Sequence, residues 1–191
     1  MATGLEELGI TDDGEPTPIA RADVASASSS AAGTDEAGQD IEMLLASMPL
    51  FDGLLPAHLR RIGSLTEVRD MPKNEAVFHH GDPGDGLYLV LSGAIRISRN
   101  VSGMGEEALA ILRPGQYFGE MSIVDDAPRS ADAIAHEPSR LLRLSKDDLR
   151  DLMFVDRELA YELLWRFVRT LSSRLRESND RLLMLTVSSK F

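Results

Sequence analysis

One stretch of this chain combines residue types that suggest chemistry. It runs from Gln116 to Ala131 and contains Gly119-Glu120, a short apolar turn, and Arg129 nine positions after the acid. A glycine at 119 would let a ligand approach the backbone where a Cβ would clash. Residues Glu120 to Val124, with Met121 and Ser122 inside, fit one helical turn, and free N–H groups at the start of such a turn attract an anion. Arg129 can add charge-assisted hydrogen bonds to the same anion. Glu120 does not suit a phosphate, because a carboxylate only accepts; it calls for a hydroxyl donor. A sugar hydroxyl beside a phosphate is such a donor. Taken singly, Arg129 reads as a surface arginine paired with Asp125 or Asp126, and Glu120 as an acid favoured by a helix dipole. Taken together they point to a phosphorylated sugar.

The elements that must position these residues change character along the chain. Residues 1–39 carry eight acids and one base, with an Ala/Ser/Gly/Asp-rich stretch from Ala20 to Gly38. Such a composition cannot offset the entropy of ordering and predicts a disordered acidic tail. Order is expected from Asp40, with a short acid-capped helix over Asp40–Leu45 and a second one over Pro56–Ile62. Short apolar runs then alternate with Gly, Pro and Asp: Glu75–His79, Leu87–Leu91, Ala94–Ser98, Glu107–Leu112, Ala131–Ala135 and Arg140–Leu144. Strands at this spacing predict an antiparallel sandwich or barrel. Parallel pairing would need helical crossovers, for which there is no room. From Lys146 the period is helical, with one helix over Asp147–Phe154 and a longer one from Asp156. In the latter, Tyr161, Val168, Leu175 and Leu182 take one heptad seam position, and Leu164, Leu171, Ser178 and Leu185 the other. That spacing favours pairing with another helix over a stripe laid on the chain's own sheet. The domains read as a tail (1–39), a β-roll with N-terminal helices (40–145), and C-terminal lid and dimerisation helices (146–191).

Composition narrows the function classes. The 191 residues carry a formal net charge of −11, of which the tail holds −7. An acidic body argues against general nucleic-acid binding but not against one small phosphate. Cysteine is absent, so neither a disulfide framework nor a thiolate metal site is possible, in keeping with a cytoplasmic location. No apolar run reaches the roughly 20 residues that span a bilayer, and Met1–Glu7 lacks the basic start of a secretory signal. The adjacent His79 and His80 would point to opposite faces of a strand, and His58 and His136 lie in predicted helix and turn, so no metal site is expected.

The segment Phe118-Gly119-Glu120-Met121-Ser122-Ile123-Val124, followed by Pro128-Arg129-Ser130-Ala131, resembles the phosphate-binding cassette of cyclic nucleotide-binding domains. Its Glu-to-Arg spacing is that of the protein-kinase regulatory-subunit branch. Pro49-Leu50-Phe51 with Leu59 and Ile62 is similar to the family's N-terminal helical lead-in. Phe78, Gly81-Asp82, Gly84-Asp85, Tyr88 and Gly93 resemble its β-roll framework. The likeness covers about residues 45–185. It implies a mainly β fold with flanking helices, a jelly-roll-like antiparallel β-roll closed by C-terminal helices, the last long and dimerising. It also implies roles. Arg129 would pair with the cyclic phosphate, and Glu120 would accept from the ribose 2′-hydroxyl. Gly119 and Ser130 would complete the cradle with Ser122 beside them, and Met121, Ile123 and Ala131 would form apolar walls.

Arg174 to Leu182 resembles the long helix of the family's bacterial catabolite-activator branch, which places Ser178 and Asn179 at the adenine-contacting positions. Ser178 is the small hydroxyl in an apolar seam, and a buried hydroxyl calls for a partner. Setting helix register is its other reading. No helix-turn-helix follows before Phe191. The expectation is therefore a non-catalytic cyclic-nucleotide sensor without a DNA-binding domain or membrane segment. Its ligand would be cAMP, with cGMP as the alternative, and it would need no cofactor. It would act as a homodimer on an unidentified effector protein. Two other readings stand beside it: a ligand-free dimerisation module of the same fold, and a metal-dependent cupin-type enzyme.

Overall fold

The computed structural model describes residues 40–103 and 105–188. The expected acidic tail over 1–39 lies outside them. Helical backbone over residues 40–46 (α1) and over Pro56–Ser64 (α2) leads into eight strands. These are β1 (Thr66–Met71), β2 (Ala76–Phe78), β3 (Gly86–Ser92), β4 (Ile95–Val101), β5 (Gly105–Leu112), β6 (Tyr117–Phe118), β7 (Asp132–Ala135) and β8 (Ser139–Ser145). A single helical turn, α3 (Met121–Val124), sits between β6 and β7, and α4 (Lys146–Val155) and α5 (Arg157–Ser188) follow β8. No helix among the described residues is long and apolar enough to cross a membrane.

The strands form two four-stranded antiparallel sheets, ordered β1-β8-β3-β6 and β2-β7-β4-β5. The six strands expected from the apolar runs are present. Two more escaped the sequence reading. β1 is an edge strand whose Thr66–Asp70 side chains stay exposed or half-buried, so it lacks an alternating signal; it pairs with β8 from Thr66 opposite Leu144 to Met71 opposite Ser139. β6 is two residues long, Tyr117 opposite Leu89 and Phe118 opposite Tyr88.

Strand β3 explains the layering. It is buried on both faces: Leu87 and Leu89 join the helical core, while Tyr88 and Val90 face the interior of the roll. The inner core contains Ile95, Leu112, Phe118, Ala133 and Leu141. The outer core is larger and joins β3 and β8 to the helices through Leu45, Phe51, Ile62, Leu149, Leu152, Leu159, Leu163 and Phe167.

Helix α4 is capped by Ser145, whose Oγ accepts from the Asp148 amide at 3.1 Å. Asp156 starts α5 in the same way, accepting from the Leu159 amide at 3.0 Å. On α5, Leu159, Leu163 and Phe167 dock on the roll. Arg166 adds hydrogen bonds to the carbonyls of Pro49 (3.4 Å), Leu50 (3.0 Å) and Asp52. The heptad residues Tyr161, Leu164, Val168, Leu175 and Leu182 face outward, with Leu175 63% exposed. The side chain at heptad position Leu185 lies outside the description.

Candidate functional site

Strand β6, turn α3 and the segment after it bring the Gln116–Ala131 residues to a cavity of about 730 Å³ between the second sheet and the distal half of α5. Gly119, Glu120, Met121, Ser122, Arg129, Ser130 and Ala131 all line it, and so does Ser178 from α5. Asn179, the next helical residue, does not. Nor does Ile123, expected as an apolar wall; α3 turns it the other way, into the outer core.

Arg129 is 2% exposed. Its Nη1 donates to the Gly119 carbonyl at 2.9 Å, and its Nη2 to the Gly86 carbonyl at 2.8 Å and to Asp85 Oδ1 at 2.6 Å. The guanidinium lies 4.1 Å from the ring centre of Phe78, a cation–π contact. Its Nε is buried and has no partner among the described residues. The pairing with Asp125 or Asp126 that a surface arginine would make is replaced by Asp85. Asp85 in turn accepts from the Tyr88 hydroxyl at 2.8 Å and from Arg143 Nε at 3.2 Å. Burial alone would raise the Asp85 pKa, but the Tyr88 hydroxyl and the guanidinium groups of Arg129 and Arg143 outweigh it, and the carboxyl sits below its ordinary value.

Gly119 is required by the protein's own packing. Its φ is +87°, and a Cβ there would lie 2.5 Å from Arg129 Nη1 and 2.9 Å from the Gly86 carbonyl oxygen. The missing side chain makes room for Arg129.

Glu120 is 1% exposed. Arg174, from α5, donates to its Oε1 at 2.6 Å and to the Tyr117 carbonyl at 2.6 Å. Glu120 Oε2 is buried and has no partner among the described residues. Burial raises the Glu120 pKa above the ordinary value despite the opposing pull of Arg174 and, behind it, Arg129. Ser130 Oγ lies 3.4 Å from Met121 Sδ, and the Ser130 carbonyl accepts from Arg99 at 2.8 Å. Farther along α5, Arg181 reaches the Leu109 carbonyl at 2.5 Å.

Arg99, Arg129, Arg174 and Arg181 line the cavity with the acids Glu120 and Glu177, and Asp85 stands behind Arg129, which leaves a small excess of positive charge. A chain of net charge −11 thus gathers positive charge here, which suits an anion. Reasoning from sequence missed the parts played by Asp85, Arg99 and Arg174. Asp85 stood in plain view beside Gly84, but its pairing with a residue 44 positions away has no local signature. Among the described residues no cluster of His, Cys, Asp and Glu could hold a metal ion.

The profile of the cyclic nucleotide-binding domain matches residues 68–156. The cyclic AMP receptor protein of Thermus thermophilus is 39% identical over 142 residues, 72% of this chain and 62% of that protein. A cAMP-dependent protein kinase regulatory subunit of Hypocrea atroviridis is 30% identical over 112 residues, 59% of this chain and 23% of its own. This chain therefore spans less than two thirds of either relative. Among solved structures, a cyclic nucleotide-binding domain from Methylobacillus flagellatus superposes with a TM-score of 0.67 at 31% identity, covering 78% of this chain and 84% of its own.

Proposed function

We propose a ligand and a mechanism from one premise: this chain belongs to the cyclic nucleotide-binding domain family. It binds a cyclic mononucleotide, cAMP in preference to cGMP, and acts as a non-catalytic regulatory module in the cytoplasm. The cyclic phosphate sits against Arg129 and the backbone amides of the cassette. The ribose 2′-hydroxyl donates to Glu120, and Met121 and Ala131 flank the sugar and phosphate. Ser178, with Asn179 beside it, meets the base. Two copies associate through the outward heptad stripe of α5, and an effector protein reads the resulting state.

One observation carries this reading. Two residues that line the cavity, Glu120 and Arg129, each keep a buried polar atom, Oε2 and Nε, with no partner among the described residues. Buried polar groups left unpaired are costly. A ligand presenting a hydroxyl donor next to an anionic acceptor satisfies both, and a ribose fused to a cyclic phosphate is such a ligand. Arg174 supports the reading by holding Oε1, which leaves Oε2 for the hydroxyl.

Titration calorimetry with cAMP, cGMP and 2′-deoxy-cAMP tests it. Saturable binding is expected, strongest for cAMP and at least about tenfold weaker without the 2′-hydroxyl, the order of one charge-assisted hydrogen bond. No heat with either cyclic nucleotide would sink the ligand assignment and leave the ligand-free dimerisation module in its place.

A further inference from the structure

Asp126 lies just past α3, at a left-handed backbone position (φ +59°) where glycine is the least strained choice. Its carboxylate Oδ1 meets two cations of α4, Lys146 Nζ at 2.7 Å and Arg150 Nη2 at 2.7 Å. Arg150 Nη2 also donates to the Ile123 carbonyl at 3.1 Å, inside the cassette turn. Lys146 is held a second time: its backbone amide donates to the Asp85 carbonyl at 3.0 Å, and the Asp85 carboxylate carries Arg129. The first turn of α4 is thus fastened to both poles of the cassette, the arginine support on one side and the end of α3 on the other. Between α3, α4 and the start of α5 lies a separate groove of about 350 Å³, walled by Val124, Met153, Phe154 and Leu164 among others. The turn has space there to shift. An isolated exposed ion pair stabilises little, so the value of this clamp is geometric.

Resting on the ligand reading above, we propose that Asp126, held by Lys146 and Arg150, is the positioning residue that transmits occupancy of the cavity from the cassette turn to α4 and so to α5. A ligand gripping Arg129 and the α3 amides displaces the turn. Because Lys146 and Arg150 are tied to that turn, α4 follows. Ile123, Leu149, Leu152, Leu159 and Leu163 share one core, which carries the displacement into α5. The clamp is charged throughout the neutral range, since Arg150 and Lys146 hold the Asp126 carboxyl at about 2.

The test follows hydrogen exchange in residues 157–168 and the Trp165 fluorescence, with and without saturating cAMP. Asp126→Gly keeps the backbone conformation and removes the carboxylate. It is expected to bind cAMP within about threefold of wild type, yet to lose more than about half of the cAMP-induced change in both signals. The charge swap, Asp126→Arg with Lys146→Glu and Arg150→Glu, is expected to restore the response. A full response in Asp126→Gly overturns the proposal, and so does a lost response that the swap fails to restore. If wild type takes up no cAMP, the ligand reading fails, and the ligand-free comparison still decides the clamp. Exchange in 157–168 at least about threefold faster in Asp126→Gly supports it, and unchanged exchange overturns it.

Discussion

Arg174 and Glu120 meet at 2.6 Å across 54 positions of sequence, one on α5 and the other buried at the head of α3. The guanidinium is about one third exposed, the carboxylate only 2%. The pair therefore acts mainly on Glu120, opposing the burial that would otherwise neutralise it. Arg174→Leu is expected to destabilise the fold by about 1–3 kcal/mol, the cost of a buried group left without its partner. Adding Glu120→Gln should recover part of that loss. A double-mutant cycle by urea unfolding checks it; strictly additive losses would mean the two groups do not depend on each other.

Glu120 also sets a pH dependence. Its pKa is raised in the folded protein by burial, and the hydroxyl of the proposed ligand would bind the ionised form best, because a charged acceptor makes the stronger hydrogen bond. Affinity for cAMP is therefore expected to fall as pH is lowered, starting above the range where an ordinary glutamate takes up its proton. Because the raised pKa favours the protonated form on folding, the stability this group lends is fully present below the ordinary glutamate value and is lost as pH rises through its raised folded value. Calorimetry between pH 4 and 7 reads the affinity, and Glu120→Gln should flatten the curve.

Gly119→Ala combines two penalties, a left-handed φ and a Cβ 2.5 Å from Arg129 Nη1. Gly81→Ala carries only the first, since its φ is +88° and its surroundings are open. Each substitution is expected to lose about 1 kcal/mol to backbone strain. Gly119→Ala should additionally displace Arg129 and weaken cAMP binding by about tenfold or more, whereas Gly81→Ala should leave binding near wild type. Equal affinities in the two variants would show that Arg129 does not depend on this contact.

The two stripes of α5 should separate in mutagenesis. Phe167 is 1% exposed, and Phe167→Ala is expected to cost about 3–5 kcal/mol of stability. Leu175→Asp, on the outward stripe, should leave the fold of each chain intact and shift the protein to monomer in analytical ultracentrifugation. A monomeric wild type, or a Leu175→Asp dimer as tight as wild type, would remove α5 as the seam.

The contrast between these stripes explains what the sequence revealed. Tyr161, Leu164 and Val168 stand at helical spacing, but so do Leu159, Leu163 and Phe167. Periodicity alone does not say which face docks on the roll. Six strands were legible because Leu87–Leu91 and Arg140–Leu144 are apolar runs bounded by turn residues. β1 was not, because as an edge strand it keeps polar side chains such as Glu67 and Arg69 in solvent. The cassette was legible from local order: Gly119, Glu120 and Arg129 line one cavity. The residues that position them were harder to see. Asp85 and Arg174 are ordinary charged residues in sequence, and only folding sets one beside Arg129 and the other beside Glu120. Ile123 was misplaced because a single helical turn presents adjacent residues to different cores, so Ser122 faces the cavity and Ile123 the helices.

The anchorage of Arg166 to the backbone of residues 49–52 divides α5 unequally. Up to Phe167 the helix packs into the outer core; beyond it, the guanidinium groups of Arg174 and Arg181 are tethers to the cavity rim. The outer arm from Phe167 to Ser188 is about 31 Å long at 1.5 Å per residue, so a tilt of about 10° at its base sweeps the tip through about 5 Å. The same tilt would move Thr170, on the cavity wall one turn from that base, by about 1 Å, so the far end of the helix would travel several times farther than its near end.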